Sequence, residues 1–359
     1  MTHPYSISRR SALRTLAVGG IGSVAGCLGG FETQSAWRDP PLVEDRPTAV
    51  YVPAVTEGMK MYGRKTAGPY GVALTYSYPH RFWTIGGTDR TKTPVRSEDS
   101  IHLMVSLWDD ETGTVLPLDA GVSIEITNGE SLVSQQVPYP MLSQQMGFHY
   151  GSNYALDGEG EYTATVRVGG VSLNRTGSFA GRFEQVETVA FDFTFDTDDL
   201  YDVDIRRLDD RKGTKAAIEP MEMGFPVGRL PDVGSLPGRK LGSATSGDAV
   251  FHAFAVEDGD RFGVDGSYLY VSARTPYNQI VVPMMGLDAT LTRDGERVFD
   301  GTLARTLDPT VGYHYGAPVD AIESGDTLEV SVEVPPQVAR HDGYETAFFE
   351  MPPMTLTSS

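Results

Sequence analysis

The side chains in this sequence that could do chemistry are imidazoles and thioethers. Beyond the first residues the histidines are His80, His102, His149, His252, His314 and His341, and the methionines include Met59, Met61, Met141, Met146, Met221, Met223, Met284 and Met285. Imidazole is a ligand for iron, copper and zinc, while thioether sulfur favours cuprous copper. Two of the histidines share one setting, GFHYG at 147–151 and GYHYG at 312–316. No GxSxG, HExxH or glycine-rich phosphate loop accompanies them, so the chain is read as a binder and not as an enzyme. Cys27 is the one cysteine, which excludes disulfides within the chain, zinc ribbons and CxxC redox sites.

The two GxHYG segments imply a duplicated scaffold. Each precedes a strand of strict alternation, Tyr162, Ala164, Val166 and Val168 in one case, Leu328, Val330, Val332 and Val334 in the other. From histidine to strand start is 13 residues in the first copy and 14 in the second. Upstream, Ala249-Val250-Phe251 matches Ala49-Val50-Tyr51, and GSYLYVSARTPYN at 266–278 matches GPYGVALTYSYPH at 68–80. Leu287, Ala289 and Leu291 with the following turn then match Ile101, Leu103, Val105 and Leu107. On this alignment the first copy carries loop insertions at 85–100 and 117–141. Short, regularly spaced strands without helical periodicity predict an all-β sandwich or barrel. The domains are expected at 47–198 and 245–359, joined by a Pro/Gly-rich connector at 199–244. His102 alternates with its strand's apolar residues and is expected to face solvent or the partner domain.

The first residues carry an address. A twin arginine, Arg9-Arg10, precedes a short apolar run that ends at Val24-Ala25-Gly26-Cys27, the pattern of a twin-arginine signal with a lipobox over 1–27. Cys27 is the expected lipid attachment site, and 28–46 reads as a disordered tether. These features predict a protein held by its lipid on the extracellular face of the cell membrane. The net charge of -19 with only six lysines is the salt-adapted surface of halophilic archaea, and it offers no basic stripe to nucleic acid. Asn174-Arg175-Thr176 forms a glycosylation sequon. The methionine pairs Met59/Met61 and Met221/Met223 read as core filler.

Met141, then His149 in HYG, then Asn153 and the strand from Tyr162 together resemble the signature of the periplasmic iron-transport accessory proteins. The resemblance implies tandem immunoglobulin-like β-sandwiches, an iron or copper ion as cargo, an iron permease as partner, and pairing of the two domains or of two chains. In that family the methionine and the HYG histidine are metal ligands, joined by a histidine and a glutamate from an earlier strand and a late histidine. Carried over, the resemblance implies Met141 and His149 in the first copy with His80 close by, and His314 and His341 in the second. The early-strand ligands would fall near Leu74 and Tyr76, and the late histidine of the first copy near Asn174. In the second copy the methionine aligns with Thr306 and the early-strand ligands with 268–273. The competing expectation is an immunoglobulin-like structural or protein-binding module in which histidine and tyrosine only brace a turn.

Overall fold

Each GxHYG segment begins with a glycine in the left-handed region, φ +67° at Gly147 and +77° at Gly312, so that a tight turn feeds directly into a strand. A computed structural model describes residues 40–118 and 120–357. The signal, Cys27 and most of the tether therefore lie outside the described residues. The fold is all-β and sandwich-type, and the described residues lie within one compact unit.

In the first half the strands are β1 (Val55–Glu57), β2 (Lys60–Ala67), β3 (Tyr70–Ser77), β4 (Phe82–Gly86), β5 (Asp89–Thr93), β6 (Ile101–Asp109), β7 (Ser123–Asn128), β8 (Ser131–Gln136), β9 (Tyr139–Ser143), β10 (Gly147–Tyr154), β11 (Gly160–Val168), β12 (Asn174–Arg175), β13 (Glu187–Phe195) and β14 (Ile205–Arg207). The second half holds β15 (Arg239–Ser246), β16 (Ala249–Val256), β17 (Ser267–Arg274), β18 (Gly286–Arg293), β19 (Glu296–Asp308), β20 (Gly312–Val319), β21 (Thr327–Val334), β22 (Ala339–Arg340) and β23 (Met354–Thr357). The first half runs β2-β3-β6-β10-β9 in one sheet and β13-β11-β7-β8 in the other. The second half runs β15-β16-β17-β20-β19 and then β19-β18-β21-β23, with the long β19 doing the work of both β8 and β9. The strand order is thus the same in both halves.

That order corrects the alignment drawn from sequence. The HYG strand β10 pairs with β6, and its counterpart β20 pairs with β17, so β17 answers to β6 and not to β3. β16 answers to β3, and residues 49–51 belong to no strand. Residues 117–141 are no insertion, because they contain β7 and β8, the counterparts of β18 and of the start of β19. The surplus at 85–100 is real and includes part of the β4–β5 hairpin. The connector is woven into the body: β14 pairs with β1, and β15 already begins at Arg239.

The outer sheet of the first half alternates as a half-solvated sheet should, with Tyr162, Ala164, Val166 and Val168 buried and their neighbours more exposed. Strands β3 and β6 are buried along their whole length, so both faces of the inner sheet are covered. The second face is covered because the halves exchange segments. β22 from the second half lies between β9 and β4, parallel to β9 with Ala339 opposite Met141. β12 from the first half pairs in parallel with β19 of the second, Asn174 opposite Thr306. The exchange is pinned by polar contacts, among them buried Tyr51 Oη donating to Glu345 Oε1 at 2.8 Å and the Val50 amide donating to half-buried Asp248 Oδ1 at 2.8 Å.

Candidate metal centre

The inner sheet aims its core residues Ile101, Leu103, Val105 and Leu107 at the outer sheet, which by strand parity turns His102 the other way. There His102 meets the exchanged segment: it is fully buried, against the partner half and not solvent. His149 lies on β10 with Met141 directly across on β9, and β22 beside β9 leads into His341. His80 comes from the turn after β3. Its ring lies 3.9 Å from that of His102 and 4.9 Å from that of His341, and the His149 and His341 rings are 5.2 Å apart, centroid to centroid.

Donor atoms of His80, His102 and His341 all lie within 4.8 Å of one another. A Cβ on Gly151 would stand 2.8 Å from His102 Nε2 and 3.0 Å from Met141 Sδ, so the thioether meets the same space. Among the described residues, the Nε2 atoms of His80, His102, His149 and His341 are buried without a hydrogen-bond partner. Each such orphan costs about 1–3 kcal/mol, so four in one place mark a site that a ligand would satisfy.

In His149, His80 and His102 the other ring nitrogen explains why Nε2 is the free one. His149 Nδ1 faces the Gly147 carbonyl at 3.2 Å and His80 Nδ1 the Tyr78 carbonyl at 3.0 Å, and a carbonyl can only accept. His102 Nδ1 lies 2.7 Å from Asn153 Oδ1, with the Asn153 amide oriented by donating from Nδ2 to the His80 carbonyl at 3.0 Å. Protons on Nδ1 leave the Nε2 lone pairs directed inward, the second-shell arrangement of ligating histidines. Burial, with positive charge on neighbouring histidines, pushes the His102 and His341 pKa values well down, and burial takes His149 to about 4. Burial also works against the charged form of His80, but the Glu57 carboxylate 3.2 Å from its Nδ1 outweighs it and the pKa is raised. Three imidazoles held neutral, with a fourth paired to a carboxylate at the edge, could hold a metal. Ion–donor distances of about 2.0–2.3 Å put donors within about 4 Å of each other, close to what the rings already show.

Of the residues singled out in the sequence, Met141, His149, His341 and His80 come together here, and His314 does not. His314 lies fully buried in the second half with Nδ1 against the Gly312 carbonyl at 3.0 Å and Nε2 receiving Tyr268 Oη at 3.2 Å. His252 is also apart, bonded to Ser243 Oγ at 2.6 Å. Sequence reasoning missed His102, because the slipped alignment put the early-strand ligands at Leu74 and Tyr76. The available signal was its position on a strand whose outward residues also include Met104 and Trp108, which are not solvent-facing types.

The matches to known proteins are few. Residues 234–357 match a domain of unknown function, DUF7350. No curated protein matches. Among solved structures, a copper-bound variant of FetP from uropathogenic Escherichia coli shares 18% identity with this chain, covering 38% of it and 97% of FetP at a TM-score of 0.29. As-isolated FetP from the same organism gives 15% identity, 39% and 95% coverage, and a TM-score of 0.27. The chain is therefore similar in part to an uncharacterised domain and to FetP.

Proposed function

We propose that this protein is a non-catalytic, extracytoplasmic metal-binding lipoprotein that holds an iron or copper ion for uptake, anchored through Cys27 and serving an iron permease. The observation that carries the metal reading is the convergence of four orphaned, buried imidazole Nε2 atoms beside the Met141 sulfur. His80, His102, His149 and His341 would supply nitrogen and Met141 a soft sulfur, a donor set that suits copper in either oxidation state and ferrous iron less tightly. The site needs both halves, since His341 comes from beyond β22 and the rest from the first half. One chain thus completes a centre by exchanging segments with itself. The membrane anchor, the export route and the permease rest on the lipobox, the twin arginine and the family resemblance. No helix among the described residues is long and apolar enough to cross a membrane.

Isothermal titration of the purified protein with cupric and ferrous ions tests the metal reading. One equivalent is expected to bind, to be lost in His341→Ala and to be kept in His314→Ala. Equal binding by both variants, or none by the wild type, would reject it.

A further inference from the structure

His80 and His341 reach the imidazole centre from different halves of the chain, and each is followed directly by a charged residue, Arg81 and Asp342. These two meet as a forked ion pair: Arg81 Nε donates to Asp342 Oδ1 at 3.2 Å and Nη2 to Oδ2 at 2.6 Å, with Arg81 buried. Arg81 Nη1 also donates to the Pro40 carbonyl, which holds the guanidinium in place. The second half has no counterpart to this pair. Strand pairing puts Tyr268 where His102 stands, and Phe262 stacks on Tyr268 at 4.2 Å as His80 does on His102 at 3.9 Å. Ala339 opposes Met141 as Asn174 opposes Thr306, which makes Thr176 the counterpart of His341. The residues after Phe262 and Thr176 are Gly263 and Gly177, which have no side chains to pair. The ion pair thus accompanies the imidazoles and not the fold.

A buried ion pair adds little net stability, because desolvation of its two charges offsets their attraction. Its value here is geometric. Until a metal arrives, the four Nε2 atoms have no hydrogen-bond partner, so nothing inside the centre draws its rings together. Rings 4.9 Å apart on loops from different halves must be kept there by contacts outside the centre. A rigid guanidinium fork one residue beyond each ring does this, and donors held in place beforehand lower the cost of binding an ion.

We propose that Arg81 and Asp342 are positioning residues that latch His80 to His341 and so preorganise the metal centre. The inference rests on the metal reading of the histidine cluster and adds two residues that touch no ion. Because the pair is neutral as a whole, it acts on a cation through geometry and not through charge.

The test is a calorimetric titration of the whole protein with cupric ion in wild type, Arg81→Gln, Asp342→Asn and the double variant. Both single variants are expected to lose affinity about tenfold, as for other outer-shell partners of a metal ligand. The double variant is expected to fall no more than about threefold below either, since the same contact is removed in all three. Charge alone would give opposite signs: tighter binding in Arg81→Gln, which leaves a carboxylate, and weaker in Asp342→Asn, which leaves a guanidinium. The double variant leaves neither charge unpaired and decides the matter where a single variant fails to fold. X-ray absorption of its copper adduct is expected to show fewer imidazole nitrogens than the wild type, a change that a loss of stability alone would not produce. Opposite signs in the single variants, losses that multiply in the double variant, or wild-type affinity or nitrogen count in the double variant overturn the latch and leave the metal centre standing. A wild type that binds no cupric ion overturns both.

Discussion

The two halves place the same strands around the same spot and fill it differently. His149 pairs with Met141 where His314 pairs with Thr306, and Asn153 pairs with His102 where Pro318 pairs with Tyr268. The exchanged segments correspond too: Ala339 opposes Met141 and Asn174 opposes Thr306, so His341 answers to Thr176, whose hydroxyl donates to Asp308 Oδ2 at 2.9 Å. Even the stacking is kept, with Phe262 lying 4.2 Å from Tyr268 where His80 lies 3.9 Å from His102. One spot therefore gathers unsatisfied donors around a common space, and the other holds an aromatic plug in which the surviving histidine is fully bonded. A sandwich of this kind does not need the cluster in order to fold, so the four orphaned nitrogens, three from the first half and one from the exchanged segment, must be kept for another use.

The largest effect should follow from rewriting the first half as the second. His102→Tyr with Met141→Thr reproduces the pair at Tyr268 and Thr306, and removing two donors is expected to weaken metal binding at least about 1,000-fold, some 4 kcal/mol. Calorimetric titration reads the loss. Thermal unfolding of the metal-free protein is expected to hold or rise, because an orphaned nitrogen is removed. Wild-type affinity in this variant would break the equivalence of the two positions as a functional contrast.

The plug itself should respond to acid. Burial takes the His314 pKa down to about 4 from an ordinary value of 6.5. Between those values the unfolded chain binds the proton and the folded one does not, so the stability tied to neutral His314 is present above pH 6.5 and lost as pH falls toward 4. The full loss is on the order of 3 kcal/mol. Urea unfolding at pH 7 and pH 4.5 should show a steeper decline in wild type than in His314→Phe. Equal slopes would mean that His314 is not held neutral by the plug.

Much of this was legible in the sequence and part was not, for a definite reason. GxHYG announced the duplication because both of its glycines are fixed by geometry: the first needs positive φ, and the last leaves room for the group across the strand. The upstream strands slipped by one in the alignment because β3, β6, β16 and β17 are all apolar-rich and largely buried, and similar composition does not reveal which one pairs with HYG. His102 went with the slip. The exchange of β12 and β22 could not be read at all, since each is two residues long and is defined by its partner across the molecule and not by any local pattern. Met141, His149, His341 and His80 were found as imidazole and thioether ligand types placed by the family resemblance, whereas the contrast between His149 and His314 depends on what stands opposite.

The last glycine of each motif offers a smaller and paired test. At Gly316 an added Cβ would run into Tyr268 Oη, and at Gly151 it would lie 2.8 Å from His102 Nε2. Gly316→Ala must push a stacked, buried ring and is expected to cost about 1–3 kcal/mol of stability, the ordinary cost of overpacking. Gly151→Ala pushes into space kept for an ion, so its cost should fall on metal affinity, at least about tenfold, with little change in the unfolding of the metal-free protein. If both variants lose stability alike, the first half is as closed as the second.

The smallest effect is expected at Asn153, which touches no ion. Its Oδ1 accepts from His102 Nδ1, and its Nδ2 donates to the His80 carbonyl, so one amide fixes the tautomer of one ring and the approach of another. The equivalent Pro318 has no such side chain and needs none, because Tyr268 orients itself against His314. Asn153→Ala frees His102 to rotate and is expected to weaken metal binding about tenfold, the low end for loss of an outer-shell partner. Asn153→Asp, which keeps the acceptor and adds charge, should retain most of the affinity. Titration of the two variants side by side separates orientation of His102 from mere packing, since packing would treat alanine and aspartate in the opposite order at a buried site.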